Sequence, residues 1–214
     1  MAGWVIALDG MPLETPQPLA DIALGPAQRA DILVDVTAEE GEEAYLVSFE
    51  RDGGYAIATF PVKGQARPTP RAAPAPLPPN PITALGGIDG ARRVTLNMEG
   101  GAMGGMQGAM LNGKETGIRD LAQAGKVWAF NGMADMQDAP LIEAARGEKV
   151  RIKMVNDTAW PHAMHLHGHH FRQVRKDGSL GHRRDTILMN RNESVEIAFV
   201  ADNPGDWLLH CHML

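Results

Sequence analysis

The chain has 214 residues, 44% of them apolar and 21% charged, and a formal net charge of −6. This length allows one or two domains with sizeable cores, and the acidic balance argues against nucleic acid or an anionic membrane as a partner. No apolar run approaches the length of a membrane span. The first ten residues lack both the basic region and the long apolar region of a signal peptide, so we expect the sequence to begin within a domain.

Strand signals dominate the first part of the chain. Stretches rich in β-branched and aromatic residues lie at residues 4–8, 29–36, 43–49 and 55–60. Asp9-Gly10 and Arg51-Asp-Gly-Gly54 have the composition of turns. Residues 64–84 are rich in Pro and Ala, which predicts a stiff, extended linker.

Strand signals resume after the linker, at residues 92–96, 127–130, 150–155 and 195–200. In the last two stretches apolar residues alternate with charged or small ones, as expected of half-buried strands. One helix is predicted over Ile118–Ala124, with Gly125 placed to end it. Many short strands and little helix predict an all-β fold of antiparallel β-sandwiches.

The most informative feature is the distribution of metal-binding residue types. All eight histidines and the only cysteine lie between His162 and His212. A single cysteine allows no intrachain disulfide. Imidazole and thiolate groups concentrated in this way indicate a site for a soft or borderline metal ion.

Strand geometry separates these residues into two groups. Side chains alternate between the two faces of a β-strand, so His210 and His212 would share one face and Cys211 would point to the other. By the same alternation His165 and His167 share a face, and His162 has the opposite parity. The sequence therefore predicts four imidazoles on one side and a His162–Cys211 pair on the other.

Each side has a distinct chemistry. A thiolate with imidazole is the donor set of a blue copper centre, which takes two His, one Cys and a weak axial ligand. Four imidazoles in two His-x-His pairs suit a site with more than one ion. The backbone of Cys211 would connect the two sites through a few covalent bonds, an arrangement for passing single electrons from one metal to several.

Two classes of protein could use part of this donor set for a different purpose. A non-catalytic copper carrier or electron-transfer protein of the cupredoxin type would use His162 and Cys211, but it needs no face of four imidazoles. A zinc hydrolase would accept histidine ligands, but it needs no cysteine between two histidines. Analysis for copper and zinc, together with the absorption band of a copper thiolate, distinguishes these classes.

The order and spacing of the motifs resemble those of the multicopper oxidases (laccases, cuprous oxidases and copper-resistance oxidases). The resemblance rests on His162-Ala-Met-His165-Leu-His167-Gly-His169, on His210-Cys211-His212 and on Arg184-Asp-Thr-Ile187 between them. Further upstream, Leu24-Gly-Pro-Ala-Gln-Arg29 and the residues up to Asp35 resemble the middle domain of three-domain bacterial members.

The resemblance implies an architecture of cupredoxin-like Greek-key β-sandwiches. Residues 1–63 would be the C-terminal part of a middle domain, residues 64–84 a linker, and residues 85–214 a C-terminal copper-binding domain that lacks its last strand. The family takes four further histidines from its first domain, and a further His and an axial Met, Leu or Phe beyond the position of Leu214. We therefore expect this sequence to be a C-terminal fragment that is inactive alone.

The resemblance also implies a role for each ligand. His162 and Cys211 match the type 1 copper ligands, and His165 matches the type 2 ligand. The ligands of the type 3 pair, where dioxygen binds, are matched by His167, His210 and His212.

Three histidines are outside this ligand set. His169 matches a family position that is not a ligand. His170 and His182 match no position, and we interpret both as solvated or hydrogen-bonded surface residues.

The implied activity is that of a copper-dependent oxidoreductase. Single electrons from cuprous ion, or from a phenolic or aromatic-amine reductant, would enter at the type 1 copper. They would pass through Cys211 to His210 and His212, and dioxygen would be reduced to water at the trinuclear cluster. The missing N-terminal domain would be required as a partner, and the resemblance implies a periplasmic or extracellular location.

A second unusual stretch, residues 97–110, is rich in Met and Gly. Thioether sulfur is a soft donor that favours Cu(I), so this stretch is a candidate substrate site formed by Met98, Met103, Met106 and Met110. The alternative is a mobile glycine loop whose methionines fill gaps in the packing.

Two aspartates have two interpretations each. Asp157 could contact a substrate metal, or it could be a turn residue in Asn156-Asp157-Thr158. Asp185 could accept the N–H of a ligating histidine and so fix its tautomer. Alternatively, Asp185 forms an ordinary salt bridge with Arg183 or Arg184.

Overall fold

The strands of the chain belong to two compact units, each defined by the contacts among its own residues. The computed structural model describes residues 2–50, 52–65, 67 and 69–213, which form sixteen strands and one short helix. The all-β prediction is confirmed. The two compact units are Met1–Ile22 with Ala30–Asn80, and Ala23–Arg29 with Pro81–Leu214. No helix in the described part of the chain has the length and apolar character needed to cross a bilayer.

The strands of the first unit are β1 (Ala2–Leu8), β2 (Met11–Pro18), β3 (Ala30–Asp35), β4 (Glu43–Glu50) and β5 (Gly53–Pro61). One sheet has the order β2-β1-β3, and β4 pairs with β5 as an antiparallel hairpin. The predicted turn at Asp9-Gly10 joins β1 to β2, with both residues in the left-handed region. Part of the other predicted turn, Arg51, lies outside the described residues.

The proline-rich segment makes contacts with the first unit. The backbone N–H and Nε of Arg71 donate to the carboxylate of Asp35, at 2.6 and 2.9 Å. Asn80 donates to the carbonyl oxygen of Gly10. From residue 69 to 80 the segment has no helix or strand, and its stiff, extended conformation stays a prediction. Ala66 and Pro68, within the predicted linker, lie outside the described residues.

The strands of the second unit are β6 (Arg92–Gly100), β7 (Gly108–Leu111), β8 (Lys114–Gly117), β9 (Trp128–Phe130), β10 (Glu148–Thr158), β11 (His162–Leu166), β12 (Phe171–Val174), β13 (Leu180–Arg184), β14 (Thr186–Met189), β15 (Ser194–Ala201) and β16 (Leu209–Cys211). One sheet has the order β13-β12-β15-β10-β6-β9 and another the order β14-β11-β16. A cluster of buried apolar side chains from both sheets, including Ile152, Met154, Met164 and Met189, forms the core between them. This is the packing of a β-sandwich.

The predicted helix is present as α1 (Ile118–Gln123), with Ala124 as its C-cap. Gly125 follows in the left-handed conformation, at φ +70°. The backbone N–H of Gly125 donates to Ala122 and that of Lys126 to Leu121, which is the Schellman pattern of hydrogen bonds. The apolar side of the helix is anchored by Leu121, which is fully buried.

The two units do not coincide with the proposed limits of 1–63, 64–84 and 85–214. The linker stretch is divided between the units at residue 80, and residues 23–29 of the proposed middle domain group with the second unit. The hydrogen bonds of Gln28 to the backbone of Thr186 and of Arg29 to Asp185 account for this grouping.

Candidate metal centre

The two histidine motifs lie on neighbouring strands. β11 pairs with β16 in an antiparallel register that places Met164 opposite Cys211 and His165 opposite His210. Directly opposed residues point to the same face of a sheet. Cys211 and the flanking His210 therefore point to opposite faces, as the alternation predicts.

On one face, the Cys211 sulfur lies beside a buried imidazole. The Sγ atom is 3.3 Å from Nδ1 of His162, whose residue is only 2% exposed. The indole of Trp128 meets the His162 ring edge to face, with centroids 5.2 Å apart. Met164, from the same face of β11, is completely buried in the core. We call the pair of Cys211 and His162 the sulfur site.

Local hydrogen bonds determine which nitrogen of His162 carries the proton. The side-chain amide N–H₂ of Asn156 donates to two backbone carbonyls, so its Oδ1 is free to accept from the Thr158 hydroxyl at 2.7 Å. The Thr158 oxygen can then accept from Nε2–H of His162 at 2.8 Å. This leaves Nδ1 unprotonated and facing the Cys211 sulfur. Burial also lowers the pKa of His162 below its ordinary value of 6.5, which favours the neutral ring.

On the opposite face, four imidazoles converge. Ligand atoms of His165, His210 and His212 all lie within 4.8 Å of one another. The Nε2 atoms of His167 and His210 are 3.0 Å apart. Because neutral imidazoles are common metal ligands and four of them meet here, this face has the donors for more than one ion. We call these four residues the imidazole face.

Two of the four histidines lie just beyond their strands, and backbone hydrogen bonds hold them in place. The N–H of His167 donates to the carbonyl of Leu208, and the N–H of His212 donates to that of Ala163. Gly168 follows at φ +71°, and a Cβ there would clash with the indole of Trp207. Glycine is therefore required for the chain to turn away after His167.

The proton position on His210 also follows from its contacts. Its Nδ1 lies 3.0 Å from the backbone carbonyl oxygen of Cys211. A carbonyl oxygen only accepts, so Nδ1 carries the hydrogen and Nε2 retains a lone pair. The same contact adds a hydrogen bond to the covalent connection between Cys211 and His210.

Asp185 lies beside the imidazole face and is largely buried, with 9% of the residue exposed. It forms a salt bridge with Arg29, at 2.6 Å, a partner that the sequence analysis does not name. Its carboxylate oxygen Oδ1 is 3.5 Å from Nδ1 of His165. Burial acts to raise the pKa of Asp185, but the hydrogen bonds from Arg29 and Thr186 and the charge of Arg29 outweigh it, so the pKa is lowered overall.

The four methionines of the candidate Cu(I) site have different environments. Met98 lies in β6 and is 1% exposed, packed within the core. Met103 is 87% exposed and has a left-handed backbone conformation. Met106 and Met110 are partly buried, and Met106 packs on the small cluster around Leu121. Met98 is thus shielded from solvent, and Met103 is the freely exposed thioether of the group.

The same stretch is also more ordered than a glycine loop. Residues 108–111 and 114–117 form the hairpin β7-β8. Asn112 and Gly113 form its turn, both with positive φ, which is the conformation that an Asn-Gly hairpin turn requires.

Asp157 is exposed and belongs to strand β10, which runs to Thr158. The interpretation of residues 156–158 as a turn is therefore wrong. The parallel pairing of β10 with β6, which places Asp157 opposite Glu99, continues the strand through this point.

The three histidines outside the predicted ligand set have three different environments. The ring of His169 packs near Phe199 and Trp207, with centroids 5.1 and 6.2 Å away. His170 has its Nε2 3.9 Å from the Asp185 carboxylate. His182 is exposed on β13.

Sequence reasoning did not identify several residues that surround the ligands. Thr158 and Trp128 contact His162, while Thr186 and Arg29 contact His165 or Asp185. Arg29 and Thr186 had a signal, through their places in the Gly-Pro-Ala-Gln-Arg and Arg-Asp-Thr-Ile stretches. Thr158 and Trp128 are ordinary strand residues whose importance depends on tertiary contacts.

Comparison with known proteins gives a consistent result. Residues 111–214 match the family model described as multicopper oxidase. The multicopper oxidase MmcO of Mycobacterium tuberculosis is 38% identical over 85 residues, which are 40% of this chain and 17% of that protein. Copper resistance protein A of Pseudomonas syringae pv. tomato is 39% identical over 87 residues, 41% of this chain and 14% of that protein. Laccase-5 of Trametes villosa is 45% identical over 67 residues, which cover 28% of this chain and 13% of that protein.

Solved structures extend the likeness to the whole chain. Lac15 from a marine microbial metagenome is 38% identical with a TM-score of 0.73, covering 99% of this chain and 46% of that one. The McoA multicopper oxidase of Aquifex aeolicus is 26% identical with a TM-score of 0.69, and the match covers 100% of this chain and 47% of that one. The chain thus spans about half the length of these structures. Residues 111–214 thus match a multicopper oxidase domain, and over its whole length the chain is similar to solved multicopper oxidases. The paired histidine motifs, the cysteine of the second motif and the β-sandwich that carries them agree with this likeness.

Proposed function

We propose that this chain provides the type 1 copper site and one half of the trinuclear copper cluster of a multicopper oxidase. His162 and Cys211 would hold the type 1 copper, His165 the type 2 copper, and the type 3 pair would be held by His167, His210 and His212. The observation that carries the proposal is the division of one sheet, with Cys211 Sγ beside His162 Nδ1 on one face and four imidazoles on the other.

The donor sets fit copper. The Cys211 sulfur and the unprotonated Nδ1 of His162 are 3.3 Å apart, close enough to bind the same ion, and a pair of thiolate and imidazole ligands is typical of blue copper centres. The other face has imidazole ligands only, which suits both the type 2 copper and the type 3 pair. When bound, copper would supply one-electron transfer at the sulfur site and four-electron reduction of dioxygen to water at the cluster.

The residues of the chain would serve this chemistry in two ways. Cys211 is joined by single peptide bonds to His210 and His212, and the Nδ1–H of His210 donates to the Cys211 carbonyl, so the two faces are connected by a short path. Burial of His162 and Met164 excludes water from the histidine side of the sulfur site, whereas Cys211 is partly exposed. A low local dielectric on the buried side strengthens the interactions of charged groups.

Further ligands for the cluster would come from the remainder of a longer protein. The imidazole face has four histidines, the family resemblance implies eight cluster ligands, and the solved relatives are about twice as long. Expressed alone, the 214-residue chain is therefore expected not to reduce dioxygen. Oxygen uptake by the purified, copper-loaded chain would contradict this.

The reducing substrate is proposed to be cuprous ion, with phenolic or aromatic-amine reductants as the second candidate. The exposed thioether of Met103 and the exposed carboxylate of Asp157 support the first choice, because soft sulfur favours Cu(I). In the complete enzyme, Met103→Ala should reduce cuprous-ion oxidation and leave phenol oxidation unchanged. Equal loss of both activities would overturn the choice. The periplasmic or extracellular location stays a prediction.

The test of the proposal is metal analysis of the chain combined with its absorption spectrum. We expect copper in preference to zinc, an intense visible thiolate band, and additional copper at the imidazole face that gives no such band. Zinc in place of copper would indicate a hydrolase. One copper per chain, with the band and nothing at the imidazole face, would indicate a non-catalytic electron-transfer protein.

A further inference from the structure

We infer that Arg29, acting through Asp185 and Thr186, is a positioning residue that holds His165 in the tautomer with Nε2 free for a metal ion. The role of His165 as a copper ligand rests on the proposed function, whereas its tautomer does not depend on copper. Arg29 lies 136 positions before His165 in the sequence, outside both histidine motifs.

The first step is the environment of His165 Nδ1. This atom lies 3.0 Å from the backbone carbonyl oxygen of Asp185 and 2.9 Å from the Thr186 hydroxyl oxygen. The carbonyl can only accept, so Nδ1 carries the hydrogen. A neutral imidazole with its hydrogen on Nδ1 has its lone pair on Nε2.

The second step is the direction of the Thr186 hydroxyl, which is fully buried. It donates to Oδ1 of Asp185 at 2.8 Å. Its oxygen therefore presents a lone pair, and not a hydrogen, to Nδ1 of His165. If the Thr186 hydroxyl turned around, it could donate to His165 Nδ1 and stabilise the opposite tautomer.

The third step is the position of the Asp185 carboxylate. Arg29 Nη2 donates to Oδ2 at 2.6 Å, and Nη1 lies 3.4 Å from Oδ1. Charge-assisted bonds of this kind fix a carboxylate more firmly than neutral ones. The side chain of Arg29 is half exposed, but that of Asp185 is only 12% exposed. Removing the cation leaves this mostly buried carboxylate without its arginine partner, which would favour rotation of Asp185.

The segment that carries Arg29 is held against Thr186 by one further bond and is tied together by two internal bonds. Gln28 donates to the backbone carbonyl of Thr186 at 2.9 Å and accepts from the N–H of Gly25 at 2.9 Å. Arg29 Nη1 also donates to the carbonyl of Ala27. Residues 25–29 therefore form a brace, here called the arginine brace, whose contacts converge on the partners of His165.

His210 and His162 differ from His165 in how far away the groups lie that determine their tautomers. His210 has its proton fixed by the carbonyl of the adjacent Cys211, and His162 by the nearby Thr158. Their tautomers thus depend on local residues. His165 also has a backbone carbonyl as one partner, but its second partner, the Thr186 hydroxyl, is oriented through Asp185 by Arg29. Its tautomer can therefore be changed from a distance without altering either histidine motif.

The experiment is long-range ¹H–¹⁵N NMR of the metal-free 214-residue chain, which reports the protonated nitrogen of each imidazole directly. The wild type should show His165 with its hydrogen on Nδ1. Arg29→Met should give a mixture of tautomers at His165 and leave His210 unchanged. Cu(II) affinity at the imidazole face should fall roughly 10- to 100-fold, the usual effect of losing a partner that orients a ligand. Arg29→Lys should restore most of the wild-type pattern.

Arg151→Met is the matched control. Arg151 pairs with Glu196 at 2.6 and 2.7 Å, between β10 and β15, in a similarly short two-bond contact. Its loss should leave the His165 tautomer unchanged. If Arg29→Met does not fold, Asp185→Asn keeps the shape of the side chain, removes the charge that orients the Thr186 hydroxyl, and should give the same mixture.

Three results would overturn the inference: a wild-type His165 protonated on Nε2, an Arg29→Met variant with the wild-type tautomer, or the same shift in Arg151→Met. Failure of the wild-type chain to bind copper would count against the proposed function. Because the tautomers are recorded without metal, the two failures are distinguishable.

Discussion

The two faces of the β14-β11-β16 sheet are formed by the same strands but lie in opposite environments. The sulfur site is continuous with the core, where His162 and Met164 are almost fully buried. On the imidazole face, His167 and His212 are exposed. The difference indicates that the first site is built within this sandwich, whereas the second has room for ligands and substrate from outside it.

The largest expected effect is that of Cys211→Ser, which removes the only thiolate and nearly preserves the shape of the side chain. The thiolate absorption band should disappear completely, because serine cannot supply the soft sulfur donor. Copper bound at the imidazole face should remain, as measured by metal analysis. A variant that keeps the band would show that the sulfur site does not hold the copper.

His212→Ala tests the opposite face. The residue is exposed and lies beyond the end of β16, so folding should be preserved. Copper affinity at the imidazole face should fall by more than about tenfold, since losing even a partner of a ligand has that effect. The thiolate band should keep its intensity in a copper titration. Equal losses at both sites would mean that the two faces are not separate.

Gly168→Ala should disturb the turn that follows His167. The added Cβ would contact the Trp207 ring, and the backbone would be held at φ +71°. We expect a loss of about 2–4 kcal/mol in the free energy of unfolding, from overpacking and backbone strain together. Denaturant titration measures it.

The matched control is Gly178→Ala, at φ +82° with no atom near the added Cβ. Backbone strain alone should cost ~1–2 kcal/mol. Equal losses in the two variants would show that the contact of Gly168 with Trp207 has no energetic role.

A smaller effect is expected from pH. Burial lowers the pKa of His162 in the folded, metal-free chain below 6.5, so the unfolded state binds the proton more readily. Stability is therefore fully present above about pH 6.5 and is lost as the pH falls below this value. His162→Gln should reduce the slope of melting temperature against pH between about pH 7.5 and 5.5.

The control for this slope is His182→Gln, because His182 is exposed on β13. It should leave the slope close to that of the wild type. A wild-type melting temperature that rises on acidification would contradict the sign of the effect.

The sequence alone was sufficient to predict features that depend on a few consecutive residues. The parity of His162, His165 and Cys211 requires only that the segments be strands, and the end of α1 requires only Gly125 in a left-handed conformation. Both are properties of a few consecutive residues, and both are found in the structure.

Features that depend on exceptions or on distant contacts were not predicted. β2 contains three prolines, which oppose a central strand, but it lies at the edge of its sheet where proline is tolerated. The hairpin β7-β8 had a strong signal in Asn112-Gly113, which was obscured by the surrounding glycines and methionines. The pairing of Asp185 with Arg29 joins positions 156 residues apart, and no local pattern specifies it.

The central claim, that one sheet separates a sulfur site from an imidazole face, is tested most directly by crystallography of the copper-loaded chain at the copper absorption edge. The account predicts anomalous peaks on both sides of the sheet, one beside Cys211 Sγ and His162 Nδ1, the other among His165, His210 and His212. A single peak that shares ligands from Cys211 and His210 would contradict it.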